Sequence, residues 1–473
     1  MSLPEIETDI CVIGAGSGGL SVAAGAVQMG ARVVLIEAGE MGGDCLNYGC
    51  VPSKALIAAA EKAQVVRRPR FGIAGTEPRV DFGAAKDHVR DVIAAIAPVD
   101  SQERFEGLGC TVIRAHARFT GPDRLEAGGR TVRARRFVVA TGSSPLVPPI
   151  PGLDRVEALT NETIFDLRER PDHLVIIGGG NIGMEMAQAH RRLGCEVTVI
   201  EGATAMGKDD PEAAALVLRA LRDEGVTIHE NRKAERVSGG DGSVTVHTDA
   251  GDVTGSHLLV AVGRAVNVTD LGLDAAGVDH DRRGVKVGED LRSVSNRRVY
   301  AVGDAAGGLQ FTHVAGWHGG LVVRNACLGL PIRARTAHIP WCTYTAPELA
   351  QVGLTEAQAR EAHGDRLKVL RAGFDENDRA VASGQRTGFV KVMAVGGKPV
   401  GATIVGAHAG ELIAPWAMAL ANGLKLTAMT GTVLPYPTLS EASKRAAGSY
   451  YAPKLFDNPW VKRAVRLVQR IGR

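Results

Sequence analysis

One pattern occurs twice in this chain and constrains its fold more than any other feature. The first copy runs Asp9-Ile10-Cys11-Val12-Ile13, then Gly14-x-Gly16-x-x-Gly19, an alanine-rich helical stretch, and Val33-Val34-Leu35-Ile36-Glu37. The second runs Leu174-Val175-Ile176-Ile177, then Gly178-x-Gly180-Asn181-Ile182-Gly183, a helical stretch, and Val197-Thr198-Val199-Ile200-Glu201. Each apolar run reads as a buried parallel strand. Glycines at these positions let the backbone come close to a pyrophosphate at the N-terminus of the following helix. In both copies an acid falls 18 residues after the third glycine, where it can accept hydrogen bonds from a ribose hydroxyl. A lone glycine fingerprint is weak evidence. Two of them, each between strand and helix and each followed by its acid, predict two βαβ dinucleotide-binding folds.

Further strand-then-turn segments follow: Val138 to Pro145, Leu258 to Gly263-Arg264, and Val299 to Gly303-Asp304. Prolines 148, 149 and 151 mark a linker. After about residue 338 the texture changes to an α+β pattern without a nucleotide fingerprint. Phe389–Ala394, Gly396-Gly397 and Val400–Val405 read as a β-hairpin, and Ala409 to Leu424 as one amphipathic helix. Asn458 to Arg473 is a basic amphipathic stretch, read as a surface helix, with membrane-surface docking as the sharper alternative. The net charge of +3 over 473 residues gives no argument for a nucleic-acid partner. There is no run of 18 apolar residues, so no membrane span is expected, and Met1 to Asp9 does not read as a leader. The seven cysteines are thinly spread, unlike a secreted disulfide framework, and a reducing cytoplasm is the expected setting.

The strongest local signal is Gly42-Gly43-Asp44-Cys45-Leu46-Asn47-Tyr48-Gly49-Cys50-Val51-Pro52-Ser53-Lys54. Its two cysteines lie five positions apart, directly after the first βαβ unit. If the segment is helical, that spacing brings the sulfurs close enough to bridge after a modest distortion. A helix N-terminus would lower the pKa of one thiol. The other five cysteines read as small core hydrophobes.

With these motifs in this order, the chain resembles the pyridine nucleotide–disulfide oxidoreductases, among them dihydrolipoamide dehydrogenase, glutathione reductase and mercuric reductase. The resemblance also rests on Ala140-Thr141-Gly142-Ser143, Glu185 in the second fingerprint helix, Gly263-Arg264, Gly303-Asp304, Tyr344-Thr345-Ala346-Pro347-Glu348 and Pro437-Thr438-Leu439-Ser440-Glu441. It implies an α/β fold with two Rossmann-like domains, for FAD (residues 1–152 and 265–337) and for NAD (153–264). A C-terminal α+β dimerisation domain (338–473) and a homodimer complete it. It implies that Cys50 is the thiol against the flavin and Cys45 the interchange thiol. Lys54, paired with Glu185, would hold positive charge beside the flavin. Gly14, Gly16, Gly19, Glu37, Ala38, Gly43, Asp44, Thr141, Gly142, Ser143, Gly303, Asp304 and Gln310, Phe311 and Thr312 would line the FAD site. Gly178, Gly180, Asn181, Ile182, Gly183 and Glu201 would serve the nicotinamide cofactor, and Gly263 and Arg264 are further cofactor-binding candidates. No resident metal is expected.

Glu201 points to NADH over NADPH: its carboxylate repels a 2′-phosphate, and no arginine lies between it and Lys208 to receive one. A second departure concerns the proton shuttle. Where dihydrolipoamide dehydrogenase and glutathione reductase carry His-Pro-Thr-x-x-Glu, this chain has Tyr436-Pro437-Thr438-Leu439-Ser440-Glu441. A tyrosine, with a pKa of about 10, donates a hydrogen bond but shuttles protons poorly at neutral pH. Mercuric reductase resembles the chain better there, and Phe374-x-x-Asn377-Asp378-Arg379-Ala380 also looks like that branch. Yet no cysteine follows Cys342 to hand over a metal. Three readings stay open. One is a mercuric-reductase-like reductase of a metal ion, quinone or other small acceptor. The second is a dihydrolipoyl-dehydrogenase-type enzyme acting on a lipoyl protein or other dithiol. The third is a low-turnover redox sensor. Tyr436 and Glu441 are candidate catalytic residues, which the resemblance implies reach Cys45 of the partner subunit.

Overall fold

A computed structural model describes residues 4–240 and 242–471. The chain forms two compact units. One comprises residues up to Gly179, Ala189–Gly202 and Arg232–Arg335; the other comprises Gly180–Gln188, Ala203–Asn231 and Thr336–Arg473.

In the first unit, Glu5–Ile13 is the centre of a mixed sheet. It pairs in parallel with Val33–Glu37 on one side and Arg130–Val139 on the other. Val299–Ala301 also joins Arg130–Val139 in parallel. The nearly unbroken burial of Cys11, Val12, Val34, Leu35, Val138 and Val139 explains the apolar runs in the sequence: both faces of this sheet are covered. Helices Ser17–Gln28 and Thr312–Leu328 cover one face and pack closely on each other. Small residues permit that approach, since a side chain on Gly25 would press into Val323. A second parallel sheet places His173–Ile177 between Glu196–Ile200 and His257–Val260.

The two fingerprints repeat each other in backbone detail. Gly14 has φ +104° and Gly178 φ +115°. A Cβ at either would collide with a carbonyl at the end of the neighbouring strand, Ala140 in one copy and Ala261 in the other. Only glycine meets both demands.

In the second unit an antiparallel sheet runs in the order Pro340–Thr343, Glu348–Gly353, Lys398–Gly406, Phe389–Val395, Leu367–Gly373. The expected hairpin is present, with Gly396 and Gly397 both at positive φ in its turn. The single helix expected over 409–424 is instead two, Ala409–Leu412 and Ala414–Ala421. Pro415 accounts for the break: it lacks an N–H and is tolerated only in a first helical turn. Trp416 is fully buried beneath Glu441–Ser449, its Nε1 donating to Ser443 Oγ at 3.0 Å.

Candidate functional site

The cysteine segment is not one helix but two. Gly43–Asn47 carries Cys45, and Cys50 is the first residue of Cys50–Arg67. The break at Tyr48-Gly49 leaves Cys50 at the N-terminus of a long helix, where free backbone N–H groups favour negative charge. Both residues are free thiols here, and they are hydrogen-bonded to each other. The Cys50 thiol is brought down from 9.0 to about 6, chiefly by the hydrogen bond from Cys45. Burial works against this. The Thr312 hydroxyl, 3.3 Å from Cys50 Sγ, and the charge of Lys54 add to it. The Cys45 thiol is pushed well up by the same hydrogen bond, then by burial and the neighbouring charge on Cys50. The pair is therefore polarised, with Cys50 as thiolate and Cys45 as thiol.

Four segments converge beside it. Arg264 reaches Asp44 at 3.0 Å and donates from Nε to Ser143 Oγ at 2.7 Å. Ser143 Oγ in turn donates to the Asp304 carboxylate. Burial raises the Asp304 pKa, opposed by Ser143 and Arg264. Asp44, Ser143, Arg264 and Asp304, singled out separately in the sequence, thus form one polar chain. Asn161 was not foreseen. Its Nδ2 donates to Asp44 at 3.0 Å and to the Tyr48 carbonyl at 3.3 Å, bracing the short cysteine helix. Nothing in the pattern around Asn161 signals this, because the partners are 117 residues apart.

Around the first fingerprint, Glu37 accepts from the backbone N–H of Ala15 and, at 2.7 Å, of Gly39. Glu201 does the same for its own loop, accepting from Gly179 N at 2.7 Å. Each acid thus steadies its glycine loop. Gly16 and Gly43 approach one another closely, and the helix from Ser17 has no acid in its first turn. This arrangement suits the pyrophosphate of a dinucleotide. Ala38 lies in the bend after Glu37, Thr141 and Gly142 lead into Ser143, and Gly263 precedes Arg264. Gln310 is exposed just before Thr312–Leu328, and the Phe311 ring stacks on His313. Lys54 Nζ donates to Ser53 Oγ at 3.3 Å.

In the second unit Gly180 leads into helix Asn181–Arg192, which carries Ile182 and Gly183 in its first turn. Its Glu185 is 6% exposed and accepts from the Tyr344 backbone N–H at 2.9 Å. Three residues on, Gln188 bonds both the N–H and the carbonyl of Ala346. Residues three apart share a helix face, so one face grips the Tyr344-Thr345-Ala346 motif. Tyr436 is 71% exposed, and its hydroxyl donates to Asp378 Oδ2 at 2.7 Å. That hydrogen bond, then the Asp378 charge, raises the tyrosine pKa further. Glu441 accepts from Thr438 N at 3.3 Å. Asn377 donates to the Thr438 carbonyl at 3.1 Å, so the Phe374–Ala380 and Tyr436–Glu441 motifs support each other. Among the described residues there is no group of three or more His, Cys, Asp or Glu that could hold a metal ion.

Residues 8–319 match the pyridine nucleotide-disulphide oxidoreductase family, and residues 339–447 match its dimerisation domain. The chain belongs to this family. It is accordingly an FAD-dependent oxidoreductase that uses a pyridine nucleotide. It is 34% identical to a mercuric reductase of Bacillus cereus over 448 residues, 93% of this chain and 71% of that protein. It is 36% identical to a dihydrolipoyl dehydrogenase of Thermus scotoductus over 459 residues, 93% of this chain and 96% of that protein. Among solved structures it resembles the Cu(II) complex of the HOCl-induced flavoprotein disulfide reductase RclA from Escherichia coli. That likeness has a TM-score of 0.83 and 27% identity, covering 94% of this chain and 99% of the other.

Proposed function

We propose that the chain is an NADH-preferring reductase whose Cys45–Cys50 pair passes two electrons to a thiolate-seeking metal ion, a quinone or another small acceptor. The observation that carries this reading is Tyr436 bonded to Asp378. A phenol held by a carboxylate has its pKa driven away from neutrality, so it does not relay a proton between thiols. Metal reduction at two sulfurs needs no such relay. The likeness to mercuric reductase and to a Cu(II)-binding relative supports the same choice.

In this reading the FAD domain spans 1–152 and 265–337, the NAD domain 153–264 and the dimerisation domain 338–473. FAD, when bound, supplies hydride acceptance and electron relay. The glycine loop from Gly14 to Gly19, Glu37, Ser143 and Asp304 would hold it, and Lys54 and Glu185 keep the roles the resemblance implies. Cys50, as thiolate, is the sulfur suited to exchange electrons with the cofactor, and Cys45 the one suited to meet the acceptor. The matched dimerisation domain supports a homodimer, and seven thinly spread cysteines suit a cytoplasmic setting. A second reading, dihydrolipoyl dehydrogenase activity, is favoured by the Thermus scotoductus relative.

The deciding experiment is anaerobic reduction with NADH followed by an acceptor screen on the parent and Tyr436→His. The parent should reduce Hg(II), Cu(II) or quinone and act poorly on lipoamide. The histidine variant should gain lipoamide turnover by about tenfold or more, the lower range of general acid–base catalysis. Brisk lipoamide turnover by the parent, unchanged in Tyr436→His, would select the second reading.

A further inference from the structure

We propose that the helix Pro459–Ile471 lays the protein on an anionic lipid surface. At ~100° per residue, Trp460, Val461, Ala464, Val465, Leu467, Val468 and Ile471 sweep one continuous face. Lys462, Arg463, Arg466, Gln469 and Arg470 occupy the other, where Pro459, the first residue of the helix, is the one apolar member. That face is bare: Trp460 is 73% exposed and Ile471 76%, and no residue of the helix is buried. The preceding short helix, Ala452–Phe456, adds exposed Leu455 and Phe456. Arg463 lies over the Trp460 ring at 4.9 Å, a cation beside an aromatic at the border of the two faces.

Two observations select lipid as the occupant. The dimerisation match ends at residue 447, before this helix begins. Charge points the same way. No acid follows Asp457, and the five basic residues from Lys462 onward exceed the net charge of +3 of the entire chain. The remainder is slightly acidic and close to balance, so a second copy offers little to attract such a helix. A sheet of anionic headgroups with apolar chains beneath it satisfies both faces at once. Thirteen residues with four cations are too short and too charged to cross a bilayer, and no helix among the described residues is long and apolar enough to do so. The helix therefore lies along the surface.

The FAD-loaded full-length protein should float with phosphatidylcholine vesicles containing phosphatidylglycerol about tenfold more strongly than with phosphatidylcholine alone, and salt should weaken the binding. Trp460 emission should shift to the blue only when the anionic vesicles are added, with Trp460→Phe identifying its share of the signal. Leu467→Asp/Ile471→Asp and Arg463→Gln/Arg466→Gln/Arg470→Gln should each abolish flotation while NADH oxidation stays unchanged. The proposal is overturned by no flotation on anionic vesicles, by flotation that survives either set of substitutions, or by dissociation of the dimer in the aspartate variant. Capture of nucleic acid in place of vesicles would overturn it equally.

Discussion

Cys45 and Cys50 differ in charge although they share a motif. The thiol at a helix start, receiving a proton-donating partner, ionises near neutrality, and its neighbour does not. In the dithiol form, ultraviolet thiolate absorbance should titrate with a midpoint of about 6. Because the folded value lies below the ordinary one, thiolate is present above that midpoint and lost as pH falls through it. Cys45→Ala removes the main cause and should move the midpoint upward; an unmoved midpoint would assign the effect to Thr312, Lys54 and the helix start. Glu201 poses a separate question, since it steadies its loop and, in the proposed function, would also meet the cofactor's ribose. Glu201→Gln keeps an acceptor for Gly179 N–H but removes the charge. It should lower the KM for NADPH by about fivefold or more and leave NADH nearly unchanged, in line with the ~1 kcal/mol of a partly solvated charge contact. A strong preference for NADPH in the parent would defeat the premise. These residues were legible from sequence because steric rules act over short spans. Gly14 and Gly178 are dictated by φ and by one carbonyl each. The Tyr436–Asp378 bond was not legible, for its partners lie in two separate motifs 58 residues apart.

At the scale of elements, the same contrast holds. Strands, fingerprint helices and the 389–405 hairpin follow from periodicity and turn residues. Helix ends were harder: the breaks at Tyr48-Gly49 and before Ala414 are set by local capping and by Pro415, which a hydrophobic pattern smooths over. Nor did periodicity reveal how elements are pinned. Lys391, 4% exposed in the strand Phe389–Val395, binds Asp210 at 3.1 Å, Glu212 at 2.8 Å and Glu356 at 3.1 Å. Asp210 is also the N-cap of Pro211–Asp223, and Glu356 opens Glu356–His363. Burial lowers the lysine pKa, but the three carboxylates more than reverse that. One ammonium therefore fastens two helices to the sheet. Lys391→Met would leave a buried carboxylate unpaired and should cost about 3 kcal/mol in urea unfolding, whereas a loss under 1 kcal/mol would show that water replaces the lysine.

For the whole molecule, the matched dimerisation domain carries conspicuous apolar exposure near Tyr436: Val433 is 90% exposed. Val433→Asp should shift the protein from dimer to monomer in light scattering. FAD binding and NADH-driven reduction of the cysteine pair should persist, while turnover of the acceptor falls. A dimer that survives the substitution would place the interface elsewhere. The two-fingerprint architecture and the family were readable from sequence because many short motifs recur in fixed order. The acceptor was not, because it depends on which side chain stands at one position and on what that side chain bonds to.

The polar chain from Asp44 through Arg264 and Ser143 to Asp304 has a mechanical consequence. It moors the short cysteine helix to the loops after two strands of the sheet, so this region cannot fray by itself. A protease should therefore find little foothold at the short cysteine helix before the surrounding domain opens.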